Sequence, residues 1–406
     1  MNNTSVNVTA SKIATGATRL YYLDWLRVMA MLTIFFFHNS RFFDDSSWHV
    51  SNAGTSLGAD LFVQFCNPWL MPLFFILAGA SVFYALRLRT ASGFAKERVL
   101  RILIPIIILG WFIIAPPQIY LERLSHGDFT GSFLQFIPHY FTNGIYGLND
   151  GGNFGLVPLH MWFLWLLFIF SLILLPLFLR NKETGKSLLS GLATLFKKPW
   201  TIIVPILLIP VSEVLLGPLG NMLSWGGGWN HLSYLLFFIS GYMIFSNEQI
   251  QDNIRKYAAA ALAGALVIQV LHYLVQFGVI QIGLPHGITE AIFDEVSTTS
   301  RSWFFIITIL GFGSRYLNFN NKFLGYMNEA VLPFYIMHQT VILIIGFFVI
   351  QWGIGIGPKY LITTTTSFIA IMIIYELLVR RIIPLRFLFG MRVKKKKQKV
   401  KLRNES

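Results

Sequence analysis

The chain has 406 residues, of which 55% are hydrophobic and 12% charged, and its formal net charge is +14. Soluble domains are about 25% charged, so this composition excludes a soluble globular protein and predicts a polytopic, all-α integral membrane protein. Its one cysteine, Cys66, excludes an internal disulfide framework and a cysteine-based metal cage. The sequence therefore predicts no metal site.

Ten apolar segments follow one another, each near the ~20 residues that a helix needs to cross a bilayer. Their apolar runs are continuous, and backbone polar groups in lipid must be paired, so we predict helices rather than strands. The predicted helical cores are 21–39, 61–85, 102–120, 159–179, 201–219, 231–246, 258–280, 302–317, 330–352 and 361–379. The predicted organisation is a cytoplasmic segment 1–19, a ten-helix membrane domain 20–385 and a basic cytoplasmic tail 386–406.

The basic residues predict the orientation of these helices. Of the 32 Lys and Arg residues, 27 fall in the loops and tails of one side, four fall on the other side, and Arg27 lies within the first segment. This bias predicts a multi-pass protein of the cytoplasmic (inner) membrane with both termini in the cytoplasm. The sequence makes no prediction of oligomeric state.

The tail MRVKKKKQKVKLR, which begins at Met391, carries much of the positive charge. It fits either an anchor on anionic lipid or a topology signal at a disordered end. No nucleic-acid-binding module accompanies this charge, so we expect the bilayer, and not nucleic acid, as its partner. On the outer side, the longest loop runs from Glu122 to Pro158 and is rich in Gly, Asn and aromatic residues near its centre. It fits a sugar contact or a solvated connection.

Ionisable residues interrupt the first apolar segment. Arg27 and His38 are eleven residues apart, which in a helix is 20° beyond three full turns and a rise of about 16 Å. They therefore share one face, together with Asp24 and Met31, and connect the inner side to a histidine near the outer side. Charged groups at such depth normally face the protein interior or a water-filled path. His38 is either a functional group or a hydrogen-bonded interior histidine.

Three further groups of polar side chains have either a functional or a structural role. Arg98 and Arg101 are three residues apart at the cytoplasmic start of the third helix, where two planar guanidinium groups on one face suit phosphate. His160 and Trp162 open the fourth helix from outside, and His338 lies deep in the ninth. We predict that these last three residues contact substrate. The structural alternatives are positive-inside topology for the arginines and an aromatic belt for Trp162.

Four motifs together resemble the acyltransferase-3 family of membrane acyltransferases. They are LDWLRVMAMLTIFFFH in the first helix, RVLR after the second, HMWFL at a later helix start and PFYIMHQTVI near the end. The resemblance covers about residues 20–385 and is strongest to a branch that transfers succinyl groups to osmoregulated periplasmic glucans. Two departures are a Met before the Trp of HMWFL and the lack of an appended extracellular hydrolase-like domain.

The resemblance implies an enzyme that takes an acyl group from cytoplasmic acyl-coenzyme A (acyl-CoA) and delivers it to an acceptor outside. It implies that Arg27 and His38 are essential and that Arg98 and Arg101 handle the donor, with Arg27 also near it. No tightly bound cofactor is implied. The acyl group remains open between acetyl and succinyl.

The residue geometry is compatible with that chemistry. The phosphates of coenzyme A suit the arginines at the inner face, and the stripe from Arg27 to His38 is a plausible track for the pantetheine arm. His38 would act as a general base on a hydroxyl of an extracytoplasmic glycan, because histidine titrates near neutral pH. We predict Asp60, at the outer start of the second helix, as the partner that orients His38. The alternative function is a transporter or flippase for a glycan or organic anion, although no internal repeat supports it.

Overall fold

The computed structural model describes residues 19–392 except 150, 185–190, 192–193, 195–197, 199–202, 217–218, 220–224, 282 and 284–287. The predicted N-terminal segment before Arg19 and the basic tail after Arg392 lie outside the described residues. In the described part, regular secondary structure is entirely helical, and only an isolated bridge joins Ile145 to Phe154. The all-α prediction is confirmed.

Fifteen α-helices occur in the described ranges, and we number them in chain order. Their bounds are Tyr21–Ser40 (α1), Leu57–Cys66 (α2), Leu70–Leu88 (α3), Ala91–Arg98 (α4), Ala115–His126 (α5), Phe133–Thr142 (α6), Trp162–Ile173 (α7), Leu175–Thr184 (α8), Val204–Leu216 (α9), His231–Ser246 (α10), Glu248–Gln276 (α11), Ile288–Tyr316 (α12), Lys322–Val349 (α13), Ile356–Ile374 (α14) and Ile383–Leu388 (α15). Wider π-helical turns occupy Val99–Leu103, Ile106–Ile114 and Tyr375–Val379, and a 3-10 turn occupies Leu159–Met161.

The long apolar helices give the chain membrane-protein character. Among the described residues, five helical stretches are long and apolar enough to cross a bilayer: Leu57–Leu88, Ala91–His126, Glu248–Gln276, Lys322–Val349 and Ile356–Val379. A sixth is possible if the pair Leu159–Ile173 and Leu175–Lys182, bent by 49°, forms one span. Two further apolar helices, α9 and α10, are shorter. The count of ten spans and the cytoplasmic position of both termini stay predictions.

Two of the predicted segments are less regular than continuous α-helices. The segment 61–85 is interrupted between α2 and α3, where Pro68 removes a backbone donor from the helix. The segment 102–120 contains two π-helical stretches, which often mark functional sites in helices. The predicted domain boundary at 385/386 falls inside α15, whose Arg386 donates to Glu329 at 2.8 Å.

Glycines hold α3 and α10 in close contact. A Cβ added to Gly79 would lie 2.1 Å from the carbonyl oxygen of Phe238, and one added to Gly241 would lie 2.2 Å from that of Ile76. The two glycines therefore allow the backbones of α3 and α10 to approach closely. On the other side of the domain, α1 packs on α13 and α14 through Phe35, whose ring centre is 5.4 Å from that of Phe334. This contact sets the end of α1 against the middle of α13.

Candidate active site

A cavity of about 770 Å³ lies at the C-terminal end of α1. Its walls come from α1, the loop after α1, the break between α2 and α3, the loop segments 145–148 and 156–159, the start of α7 and the middle of α13. His38, His160 and Trp162 line it together with Trp48, Tyr146 and Trp225. Residues that are far apart in the sequence, and were predicted separately, thus share one wall.

Three histidines form a cluster beside this cavity, and two of them line it. The ring centre of His338 lies 5.2 Å from that of His38 and 5.0 Å from that of His160. His338 is fully buried and, unlike the other two histidines, does not line the cavity. The prediction that His338 contacts substrate directly has no support in its position.

Hydrogen bonds to backbone carbonyls of α13 determine the tautomers of two of the three imidazole rings. The Nδ1 of His338 lies 2.6 Å from the carbonyl oxygen of Tyr335, and the Nε2 of His160 lies 3.2 Å from the carbonyls of Tyr335 and Ile336. A carbonyl oxygen only accepts, so both of these nitrogens carry a proton and donate. The remaining nitrogen of His160 faces the side-chain amide of Gln118 at 3.3 Å.

A polar network extends from His160 across the α5–α13 interface. The Gln118 amide donates to Thr340 Oγ1 at 2.7 Å, and the Gln339 amide donates to Gln118 Oε1 at 3.0 Å. Leu159, directly before His160, has φ of 42°, an uncommon conformation for a residue other than glycine. Sequence reasoning missed Gln118 and Tyr335, since an isolated Gln or Tyr in an apolar run gives no spacing signal.

His38 is held between aromatic rings. Trp48 stacks on it with ring centres 5.8 Å apart and an interplanar angle of 16°, and Phe37 meets it edge-on at 5.4 Å. Its Nδ1 is buried and makes no hydrogen bond within the described part of the chain. His38 lines the cavity, and its Nε2 is not among the buried unpaired atoms, so Nε2 is the ring nitrogen available to a molecule in the cavity.

Asp60 does not lie against His38. Its Oδ1 accepts from the backbone N–H of Asp45 at 2.7 Å, and no hydrogen bond between described residues joins it to the imidazole. The sequence could place Asp60 on the outer side but not at a particular partner. Among the described residues, no group of three or more His, Cys, Asp or Glu side chains is arranged to hold a metal ion.

Charged groups at the cavity rim are paired. Arg41 forms an ion pair with Asp44 and donates to the carbonyl oxygen of Ser47 at 3.0 Å. Burial raises the pKa of the Asp44 carboxyl to about 6, although Arg41 acts in the opposite direction. On the opposite rim, Glu122 pairs with His49 and accepts from the Tyr146 hydroxyl at 2.9 Å.

At the other end of α1, Arg27 forms an ion pair with Asp24 at 2.7 Å and donates to Ser81 on α3 at 2.9 Å. Arg19 also binds Asp24, at 2.6 Å. Because α1 is an uninterrupted helix, the predicted rise of about 16 Å between Arg27 and His38 holds. Met31 lies between them on the same face and is buried, and the track for the donor along this face stays a prediction.

The two arginines of RVLR have different surroundings. Arg101 donates to the carbonyl oxygen of Gly390 at 2.7 Å and to Glu97 at 3.0 Å. Glu97 also binds Arg89 at 2.5 Å. Arg98 instead lies over the ring of Phe94, 4.6 Å from its centre, and its Nε is buried without a hydrogen bond in the described structure. Arg101 is thus held by hydrogen bonds within the protein, whereas Arg98 has an N–H donor without a partner among the described residues.

Comparison with known proteins decides the family. The family model described as an acyltransferase domain, Acyl_transf_3, matches residues 20–376 of this chain. The chain belongs to the acyltransferase-3 family. It is therefore an acyl-transferring enzyme, and the resemblance seen in its motifs is confirmed.

This acyltransferase has curated relatives over most of its length. It is 24% identical to glucans biosynthesis protein C of Salmonella typhi over 347 residues, which cover 82% of this chain and 85% of the relative. It is 25% identical to the protein of that name from Salmonella paratyphi B over the same length. No solved structure matches the acyltransferase at a significant level.

Proposed function

We propose that this acyltransferase moves an acyl group from cytoplasmic acyl-CoA to a hydroxyl of an extracytoplasmic glycan, with His38 as the general base. The observation that carries the proposal is the position of His38. It is the one histidine of the three-ring cluster that lines the cavity and has a ring nitrogen without a hydrogen bond to the described residues. A general base needs that combination of access and a fixed ring.

The proposed reaction is a direct transfer. The acceptor hydroxyl oxygen attacks the thioester carbonyl carbon while His38 Nε2 takes the hydroxyl proton. The carbon–sulfur bond then breaks, and the leaving thiolate of coenzyme A receives the proton from the imidazolium. The new bond is an ester, so atoms and charges balance without metal or redox chemistry.

Donor binding is proposed at the cytoplasmic end, with acetyl-CoA or succinyl-CoA as the donor and no tightly bound cofactor. The free donor capacity of Arg98 supports a contact with the phosphates of coenzyme A, and Arg101 and Arg27 complete a positive inner surface. The pantetheine arm would pass along the face of α1 that carries Arg27, Met31 and His38, and the buried Met31 side chain would have to give way to it.

A glycan acceptor suits the outer cavity. Trp162, Trp225 and Tyr146 line it, and such rings stack on the apolar faces of sugars while neighbouring polar groups bind hydroxyls. His160 would contribute to this wall. The relatives are named for glucan biosynthesis, which supports a glucan-like acceptor.

We further propose ten spans with both termini in the cytoplasm, in the cytoplasmic membrane, with the basic tail against anionic lipid. Single cysteines at Asn149 and Lys396, introduced after Cys66→Ala, test the orientation. Asn149 should react with an impermeant thiol reagent in intact cells, and Lys396 should react only after the membrane is opened. The reverse pattern would invert the assignment.

The test of the reaction is acyl transfer by purified full-length protein from acetyl-CoA and succinyl-CoA to glucan oligosaccharides. His38→Ala should lower the rate about 10²–10⁴-fold, because a general base acts mainly in the transition state. Its affinity for coenzyme A, measured by calorimetry, should stay within error of wild type. A fully active His38→Ala protein would remove the base assignment and leave a structural histidine.

A further inference from the structure

We propose that His338 is a positioning residue that accepts a hydrogen bond from His38 and thereby fixes which nitrogen of His38 is the base. This inference rests on the proposed function of His38 and replaces the partner role predicted for Asp60. It also replaces the substrate contact predicted for His338.

The tautomer of His338 follows from its backbone contact. Its Nδ1 is 2.6 Å from the carbonyl oxygen of Tyr335, so Nδ1 carries the proton. In the neutral ring, Nε2 is then an acceptor with a lone pair. That Nε2 is buried and has no hydrogen-bond partner among the described residues. A buried unpaired acceptor is costly, which makes a donor next to it the expected arrangement.

His160 does not supply that donor. Its proton is on Nε2, which faces the carbonyl oxygens of Tyr335 and Ile336, both 3.2 Å away. The other nitrogen, Nδ1, is therefore an acceptor and receives the Gln118 amide. Two acceptor nitrogens on His160 and His338 cannot satisfy each other.

His38 is the remaining neighbour, and its Nδ1 can supply the N–H donor that His338 Nε2 lacks. Its Nδ1 is buried and also unpaired within the described structure. The centres of the two rings are 5.2 Å apart, about the length of one hydrogen bond of ~2.9 Å plus the two ring radii. No direct bond joins the two nitrogens in the structure, where the two rings are inclined by 45°, so the proposed bond requires the His38 ring to rotate about its Cβ–Cγ bond.

The proposed hydrogen bond determines which ring nitrogen of His38 acts as the base. If His38 Nδ1–H donates to His338 Nε2, the lone pair of His38 must be on Nε2, which faces the cavity. The chain of contacts runs from the Tyr335 carbonyl through His338 to His38, and Trp48 stacks on the outer face of the last ring. His338 takes no proton in the reaction; it holds the tautomer that does, much as a second group orients a metal-binding or catalytic histidine.

The experiment uses two substitutions that separate the nitrogens of His338. His338→Asn keeps a donor near the Nδ1 position and loses the Nε2 acceptor, whereas His338→Gln can place an acceptor oxygen near Nε2. In purified full-length protein we expect His338→Asn to lower kcat for acyl transfer about 10- to 100-fold, with KM for donor and glucan oligosaccharide within about twofold. His338→Gln should recover a substantial part of kcat.

A double-mutant cycle distinguishes positioning from a separate role. Adding His338→Asn to His38→Ala should change the residual rate less than about twofold, because the partner acts only through His38. A wild-type kcat in His338→Asn, an additive loss in the double variant, or a raised KM with unchanged kcat would each overturn the proposal.

Folding and the base assignment are checked on the same samples. If His338→Asn does not purify as a monodisperse protein, His338→Gln and His338→Met replace it: a higher kcat for Gln than for Met supports the proposal, and equal kcat values overturn it. An active His38→Ala protein would refute the proposed base itself, whereas an inactive His38→Ala beside a fully active His338→Asn refutes only the positioning role.

Discussion

Glu122 holds Tyr146 at the mouth of the cavity. The Tyr146 hydroxyl donates to both carboxylate oxygens of Glu122, at 3.0 and 2.9 Å, and the same carboxylate pairs with His49. Tyr146 and His49 both line the cavity, whereas Glu122 lies behind them. One carboxylate on α5 therefore fixes two residues of the rim that come from different loops.

We expect Tyr146→Phe and Glu122→Gln to raise KM for the glycan acceptor several-fold while kcat changes little, because among the described residues neither side chain is hydrogen-bonded to His38. The effect on KM should be smaller than the ~1.5–3 kcal/mol typical of losing a hydrogen bond to a charged group, because the bond holds the loop and does not itself bind substrate. Steady-state kinetics with glucan oligosaccharide as the varied substrate measure this. Tyr120→Phe is the matched control, since its hydroxyl binds the carbonyl oxygen of Gly131 and does not line the cavity. Unchanged acceptor KM in both variants would exclude the rim from recognition.

Substitutions of the two arginines of RVLR, Arg98 and Arg101, should have different effects. Arg98→Met should weaken coenzyme A binding about ten- to a hundredfold, the loss expected for one charge-assisted phosphate contact, and leave the melting temperature nearly unchanged. Arg101→Met should lower the melting temperature, because Arg101 binds Gly390 and Glu97. Calorimetry and thermal unfolding give the two readouts, with Arg255→Met as a control on the same predicted side. Equal affinity in all three variants would remove Arg98 from the donor site.

Arg27 should be sensitive to geometry as well as to charge. Arg27→Ala leaves the buried carboxylate of Asp24 with Arg19 alone and removes the contact with Ser81, so we expect reduced yield and activity. Arg27→Lys keeps the charge but lacks the planar group that binds Asp24 and Ser81 together, so it should restore yield more than activity. Size-exclusion profiles and transfer rates test this. Wild-type activity in Arg27→Lys would show that charge alone suffices.

The buried Asp44 carboxyl predicts a pH dependence of stability. Its pKa of about 6 is above the ordinary value of 3.8, so the folded state holds this proton more tightly than the unfolded state does. The protonated form is therefore favoured by folding, and stability from this group falls as the pH rises from about 4 to about 6. Asp44→Asn, which stays neutral, should gain stability relative to wild type over that window. Melting temperatures at several pH values measure the difference.

A difference between Asp44→Asn and wild type that does not change between pH 4 and pH 7 would contradict the burial argument.

The close contact of α3 with α10 predicts that the addition of one methyl group lowers the stability of the fold markedly. Gly79→Ala places a Cβ 2.1 Å from the carbonyl oxygen of Phe238, a backbone atom that cannot rotate away. Overpacking of this kind typically costs ~1–3 kcal/mol. Gly325→Ala in α13 is the matched helical control, because nothing lies within 4 Å of its added Cβ. Thermal unfolding should show a lower melting temperature for Gly79→Ala and no decrease for Gly325→Ala.

The sequence by itself determined the class of protein, the family and the residues worth testing. Apolar runs of bilayer length leave helices as the structure that pairs every backbone group, and this is local information. The spacing of Arg27 and His38 likewise follows from helical geometry within one segment. The motifs around His160 and His338 indicated the family without showing that these residues meet.

Only the tertiary structure decided which of these residues lie close together. The sequence offered Asp60 as the partner of His38, whereas packing of α1 against α13 brings the ring of His338, 300 residues away in the chain, to 5.2 Å from that of His38. Likewise, identical spacing and charge could not distinguish Arg98 from Arg101, because the difference lies in Glu97, Gly390 and Phe94 around them. Helical periodicity fixes the face on which a side chain lies, but the partner on that face depends on how distant helices pack.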